Sequence, residues 1–211
     1  MSKDACIFGN RSSGKTTLGQ DIFNVVICGD RASGKTTLVR DLLYKLDLPS
    51  FILNGVQTDD YNDVPNVCYS ELYTSQQQIT SIFKQMSKDS RTPKIIVLEN
   101  LDSKIREFYD LFMNSWAYKV IVITTLQTMY SLPPHFRSQI DCIYILHTSF
   151  HEQKSLYEMF VGDSYFKTFS EFYSVVKKHT KNYGCVVIND STWIPFKASM
   201  HRRREWMINK N

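Results

Sequence analysis

The residues best suited to chemistry are Gly29-Asp30-Arg31-Ala32-Ser33-Gly34-Lys35-Thr36-Thr37, a Gly-x-x-x-x-Gly-Lys-Thr run set between an apolar stretch and a helical pattern. Glycines at this spacing let backbone N–H groups converge on phosphate oxygens, and the following helix adds the positive end of its dipole. Lys35 is spaced to reach β- and γ-phosphates, and Thr36 to offer its hydroxyl to Mg²⁺. The nine residues from Gly29 to Thr37 are therefore expected to form a phosphate-binding P-loop for a nucleotide such as ATP.

A second set of polar residues ends apolar runs. Lys94-Ile95-Ile96-Val97-Leu98 reads as a buried parallel strand delivering Glu99, Asn100 and Asp102 to its carboxyl end, the position of a Walker B motif. An acid there can hold Mg²⁺, and a neighbouring acid can polarise the attacking water. An acid that ends a strand can equally be a plain helix cap. Val120-Ile121-Val122-Ile123 leads into Thr124-Thr125-Leu126-Gln127, which makes Gln127 a candidate sensor of the γ-phosphate or of water. Arg137 closes the turn Leu132-Pro133-Pro134-His135-Phe136. It either pairs structurally with an acid or reaches a phosphate of its own or a neighbouring subunit as an arginine finger.

The elements that must position these groups follow from hydrophobic spacing. Val25-Val26-Ile27-Cys28 is a strand, and Leu38, Leu42 and Leu43 mark one face of the helix after the loop, before a strand at Phe51-Ile52-Leu53. Asn54 to Tyr73 is polar and reads as a loop, and Ile79, Ile82, Phe83 and Met86 then form an amphipathic stripe. Ile105, Phe108, Tyr109, Phe112 and Met113 share another helical face. A strand follows over 140–146, then helices over 147–161 and 166–179 with core-facing aromatics, and a last strand at Gly184-Cys185-Val186-Val187-Ile188. Strands alternating with helices predict an α/β, three-layer P-loop NTPase fold whose mainly parallel central sheet is flanked by helices.

A near copy of the loop precedes it. Gly9, Arg11, Ser13, Gly14, Lys15, Thr16, Thr17, Leu18 and Asp21 recur as Gly29, Arg31, Ser33, Gly34, Lys35, Thr36, Thr37, Leu38 and Asp41. Only a handful of residues part Thr17 from the Val25 strand, too few for the helix that a parallel crossover demands. The expected organisation is thus an extension over 1–24 carrying the duplicated segment, an ATPase domain over 25–200, and a basic tail over 201–211 with His201-Arg202-Arg203-Arg204 and Trp206. A basic cluster beside an aromatic can grip nucleic acid, and is as often a solvated terminus.

With 211 residues the chain suits one such domain, and a formal charge of +4 permits nucleic-acid contact without requiring it. The five cysteines lack Cys-x-x-Cys spacing and lie mostly in apolar runs, so reduced core thiols are expected. The histidines show no metal-ligand spacing, and no apolar run reaches the length of a membrane span.

The P-loop, the strand ending in Glu99-Asn100, and the passage from Leu111-Phe112-Met113-Asn114 through Val120–Gln127 to Leu132-Pro133-Pro134-His135-Phe136-Arg137 resemble the poxvirus-type genome-packaging ATPases of large DNA viruses, within the FtsK/HerA superfamily. The resemblance runs from about Val25 to Ile188, and the strand–Gln–Leu-Pro–Arg passage is its most specific part. It implies an Mg²⁺-dependent ATPase of the additional-strand type, with catalytic Lys35, Glu99, Gln127 and Arg137 and with Mg²⁺ held at Thr36 and Glu99. It further implies a homo-oligomeric ring that drives double-stranded DNA into a capsid, in partnership with capsid or portal components, at a viral assembly site in the host cytoplasm or within the virion.

The chain departs from that pattern in two places besides the duplication. Asn100 stands where the family has a second acid, and an amide cannot act as a general base, so either Asp102 or Glu99 substitutes or hydrolysis is slow. Ser115-Trp116-Ala117 replaces a family Arg-His pair. Two other readings remain open: a P-loop nucleoside or nucleotide kinase, although no arginine-rich lid or Asp-Arg substrate motif follows Gln127, and a nucleotide-binding paralogue with weak or no hydrolysis.

Overall fold

The computed structural model describes residues 23–54, 60–72, 93–99, 108–189 and 192–200. Among them, strand β1 (Asn24–Cys28) leads through the loop to helix α1 (Lys35–Leu46) and strand β2 (Ser50–Asn54). Strands β3 (Val67–Leu72) and β4 (Lys94–Glu99) follow, then helix α2 (Tyr109–Tyr118), strand β5 (Val120–Leu126), the short helix α3 (Pro134–Arg137) and strand β6 (Cys142–Ile145). Helix α4 (Phe150–Leu156) continues into a π-helical turn over Tyr157–Val161, and helix α5 (Phe169–His179) precedes the hairpin of β7 (Gly184–Asn189) and β8 (Thr192–Lys197).

The described strands form one eight-stranded sheet in the order β3-β2-β4-β5-β1-β6-β7-β8. All pairs from β3 across to β6 are parallel, and β6–β7 and β7–β8 are antiparallel. Alternating side chains of each central strand enter opposite layers. Val26, Cys28, Ile96, Leu98 and Val122 pack with Phe108, Phe112, Phe136 and Phe172 on one face. Val25, Ile27, Ile95, Val97 and Ile123 pack with Leu38, Val39, Leu42 and Leu43 of α1 on the other. Helices thus cover both faces, and the fold is the three-layer P-loop NTPase arrangement that the sequence predicts.

Three local expectations are corrected. The polar stretch before Tyr73 is not all loop, because Val67–Leu72 pairs in parallel with β2 as an edge strand. The Leu132–Arg137 turn contains a helical turn begun by Pro134 at its first position, where the missing N–H costs nothing. Thr192–Lys197 is an additional strand whose Pro195 sits on the sheet edge, opposite Val186. The Gly9–Thr17 copy, the Ile79–Met86 stripe, Asn100, Asp102, Ile105 and the basic tail lie outside the described residues.

Cys28, Cys142 and Cys185 are buried thiols. No helix among the described residues is long and apolar enough to cross a membrane.

The entry to β1 is held by one carboxylate. Asp141 Oδ2 accepts the N–H groups of Phe23 and Asn24, each at 2.8 Å, and the Asp141 N–H returns to the Asn24 carbonyl at 3.0 Å. Replacing it leaves two donors without that acceptor where β1 joins β6. Asp141→Ala should cost about 2 kcal/mol, hydrogen bonds to a charged group being worth about 1.5–3 kcal/mol each before water recovers part of the loss. The check is a urea midpoint that falls while the slope of the transition stays unchanged.

Candidate functional site

The site gathers at the carboxyl edge of the parallel strands, and β1 sets its frame. Leu126 of β5 accepts the Gly29 N–H at 3.1 Å, and His147, just beyond β6, accepts the Asp30 N–H at 2.9 Å. The loop is thereby pinned on both flanks. A side chain on Gly29 would meet the Ser33 hydroxyl and Leu146, and Gly34 caps α1 in the left-handed region at φ 100°. Both glycines are needed, one for close approach and one for backbone sign.

Lys35 is buried and folds back over the loop, donating from Nζ to the Gly29 carbonyl at 2.8 Å and the Asp30 carbonyl at 2.9 Å. Thr36 donates from Oγ1 to Glu99 Oε1 at 2.7 Å. The other carboxylate oxygen, Oε2, accepts from the Tyr61 hydroxyl at 2.6 Å. Glu99 is only 2% exposed, and burial raises its pKa above the ordinary carboxylate value while the Tyr61 and Thr36 hydrogen bonds pull it back down. Tyr61 is pushed well up, first by burial and then by the Glu99 charge, so its proton stays on and it remains a donor.

Helix α1 holds the segment that carries Tyr61. Arg40 pairs with Asp63 at 2.8 Å and donates to the Asp60 carbonyl, and the Tyr44 hydroxyl reaches the Asp63 carbonyl at 2.9 Å. The chain that presents the loop lysine therefore also presents the hydroxyl on the acid.

Lys35, Thr36, Glu99 and Gln127 line one cavity of about 1060 Å³, with Arg31, Ala32, Gly34 and Thr37 of the loop around them. Gly29, Asp30 and Ser33 shape the loop without lining that space. Arg137 does not line it: its Nε donates to the Leu132 carbonyl at 3.0 Å within its own turn. Tyr61 and Asn54 escaped the sequence reading. Asn54 is the register partner of Glu99 on β2, and its buried Oδ1 has no hydrogen-bond partner among the described residues. A polar residue ending an apolar strand was the only signal for Asn54.

These residues fit a nucleotide with a divalent cation. The buried Ser33 hydroxyl lacks a partner among the described residues, and Thr36 with Glu99 forms an all-oxygen donor set suited to Mg²⁺. No cluster of three or more His, Cys, Asp or Glu that could hold a metal occurs among the described residues. A cation at Thr36 would thus depend on phosphate oxygens and water, as Mg²⁺ ordinarily does.

Fold and site define a P-loop NTPase in which β5, with Gln127 just past its end, is inserted between the loop strand β1 and the acidic strand β4. The model of the AAA family, "ATPase family associated with various cellular activities", matches residues 25–148, and the chain belongs to that family.

Among solved structures, the chain resembles the genome packaging NTPase B204 from Sulfolobus turreted icosahedral virus 2 in complex with ATP-gammaS. The TM-score is 0.59 and the identity 15%, over 83% of this chain and 97% of that one. The AMPPCP complex of B204 gives a TM-score of 0.61 at 18% identity, over 84% and 98% of the two chains. EssC (ATPases 2 and 3) from Geobacillus thermodenitrificans gives 0.57 at 9% identity, over 86% of this chain and 40% of that chain. The uncharacterized protein L437 of Acanthamoeba polyphaga mimivirus is 32% identical over 89 residues, 42% of this chain and 31% of that protein's length.

The raised Glu99 pKa has a definite sign. The neutral acid is favoured in the fold, so its contribution to stability is complete below the ordinary glutamate range and is lost as pH rises through the raised value. Carbon-13 NMR of the Glu99 carboxyl should show a midpoint above the roughly 4.3 of free glutamate. Tyr61→Phe, which removes a hydrogen bond to the ionised form, should move it higher still. A wild-type midpoint at or below the free value would contradict the burial argument.

Proposed function

We propose that this protein is an ATP-driven viral DNA-packaging motor subunit, whose ATPase domain spans residues 25–200 and whose nucleotide site is the cavity at the carboxyl edge of β1, β4 and β5. The observation that carries the reading is the order β4-β5-β1, which sets Glu99, Gln127 and the Lys35 loop around one space. Support for packaging comes from B204, a genome packaging NTPase whose chain is matched over 97% of its length. A family of ATPases and the viral source of L437 point the same way.

In this reading the loop N–H groups from Gly29 to Thr37 and the Lys35 ammonium bind the phosphates of ATP. Thr36 and Glu99 would hold Mg²⁺, which would supply charge neutralisation to those phosphates. Glu99 accepts a proton from the attacking water once it is released from one of its two hydroxyl donors, and Gln127 orients that water or senses the γ-phosphate. Arg137, being outside its own chain's cavity, acts on a neighbouring subunit of a homo-oligomeric ring. Double-stranded DNA is the cargo, capsid or portal components are the partners, and a viral assembly site in host cytoplasm is the setting.

A second reading, a nucleotide-binding paralogue with little turnover, is favoured by one observation: each Glu99 oxygen already accepts a hydroxyl, from Thr36 and from Tyr61. Single-turnover hydrolysis with and without double-stranded DNA separates the two. The motor reading expects turnover that rises with DNA, an approximately 100-fold or greater loss in Glu99→Gln with ATP binding retained, and loss of both binding and turnover in Lys35→Ala. Wild-type binding without turnover above background supports the paralogue, and a Lys35→Ala protein that hydrolyses normally removes the site altogether.

A further inference from the structure

The cavity extends well beyond the loop that would hold phosphates. It is also lined by Asn182 and Tyr183 before β7, by Lys197 at the end of β8, and by Ala198 and Met200 after it. Topology explains why two stretches so distant from the P-loop in sequence arrive there. Strand β7 runs antiparallel to β6 and β8 antiparallel to β7, so β7 starts, and β8 ends, at the edge where the parallel strands finish.

Tyr183 is held there at a conformational expense. Asn182 and Tyr183 both adopt left-handed backbone, at φ 53° and φ 61°, a region that residues with a Cβ enter rarely and that a Tyr has no local reason to choose. The turn is locked from both sides. The Thr180 N–H bonds the Val176 carbonyl at 2.9 Å, and Gly184 passes so close to the His179 carbonyl that no side chain fits. The outcome is a tyrosine 67% exposed, with its ring edge against Gly34: a Cβ on that glycine would lie 3.3 Å from Tyr183 Cδ1. Core packing accounts for none of this exposure. Beside the ring, the exposed Asn182 side chain offers both a hydrogen-bond donor and an acceptor.

We propose that Tyr183 is the base-stacking platform of the nucleotide site, that Asn182 faces the polar edge of a stacked purine, and that the Lys197–Met200 segment closes the far side. The inference rests on the nucleotide reading of the cavity and adds to it the residues that distinguish a nucleotide from a bare polyphosphate. Its chemistry is one-sided. Stacking on an aromatic face is worth about 1–3 kcal/mol per base by alanine substitution, whereas a tripolyphosphate has no face to stack.

Calorimetric titration of ATP and of inorganic tripolyphosphate, each with Mg²⁺, into wild type, Tyr183→Ala, Tyr183→Gly and Tyr183→Phe tests it. Wild type should bind ATP more tightly than tripolyphosphate. Tyr183→Ala and Tyr183→Gly should each weaken ATP by about 10-fold while leaving tripolyphosphate unchanged, and Tyr183→Phe should stay near wild type. Because glycine adopts the left-handed backbone freely, Tyr183→Gly separates loss of the ring from loss of the fold, which a melting curve confirms. Equal losses for both ligands would make Tyr183 a mere support for the loop and overturn the proposal, as would unchanged ATP binding or a wild type indifferent between the two. A wild type that binds neither would overturn the nucleotide site itself.

Discussion

Everything at the site depends on β1 being hydrogen-bonded along both sides. It is a five-residue strand, buried throughout, with β5 in register from Asn24↔Val122 to Cys28↔Leu126 and β6 from Val25↔Cys142 to Cys28↔Ile145. In that interior an unmet backbone N–H or C=O would cost about 1–3 kcal/mol, so the register has little freedom to slip. The bonds carry on past the strand, to Leu126 on one side and His147 on the other, and hand the same rigidity to Gly29 and Asp30. A loop meant to aim N–H groups at phosphates gains its precision from the ladder that ends in it. Gln127, one residue beyond Leu126, shares the same anchor.

The acid across the cavity illustrates a balance between two large terms. Taking a carboxylate out of water costs several kcal/mol even after the protein relaxes, and the hydroxyls of Thr36 and Tyr61 return about 1.5–3 kcal/mol each as hydrogen bonds to a charged acceptor. The raised pKa of Glu99 says that burial wins. A carboxyl placed in this way is a better proton acceptor than an exposed glutamate and is more easily neutralised. Its setting also ties distant parts of the chain together: Thr36 belongs to α1, Glu99 to β4, and Tyr61 to the segment that Arg40 and Tyr44 of α1 hold in place. A change at the loop can thus reach the acid through two hydroxyls.

Where burial was complete on both faces, the elements were legible from residue order alone. Val25–Cys28, Ile95–Leu98 and Val120–Ile123 are unbroken apolar runs because parallel strands with helices on both sides have no solvent face to advertise. The edges were not legible, for the opposite reason. Val67–Leu72 mixes Tyr, Ser and Glu and reads as polar chain, and Thr192–Lys197 contains a proline that a central strand would forbid and an edge strand tolerates. Lys35, Thr36, Glu99 and Gln127 carried local signals, a glycine-lysine spacing or a polar residue ending an apolar run. Tyr61 carried none, since its partner lies 38 residues away and only the folded sheet brings them together. Arg137 was conspicuous in sequence, yet the bond from its Nε to the Leu132 carbonyl is set by turn geometry and not by residue type.

The antiparallel hairpin at the end of the domain resolves what would otherwise be a one-sided site. A purely parallel sheet brings only strand ends to its carboxyl edge, and those already carry the loop, the acid and the glutamine. Reversing the chain at β7 brings a strand's beginning to that same edge, and reversing it again at β8 brings an end, so two further segments reach the rim without a long loop. The cost is concentrated in the tight turn from α5 into β7, with two consecutive left-handed residues and a glycine against a carbonyl. Strain of this sort persists where its surroundings over-determine it. In this fold the surroundings are the C-terminus of α5, the β7–β8 ladder and the P-loop glycine Gly34, so the rim is built from the same parts that build the phosphate cradle.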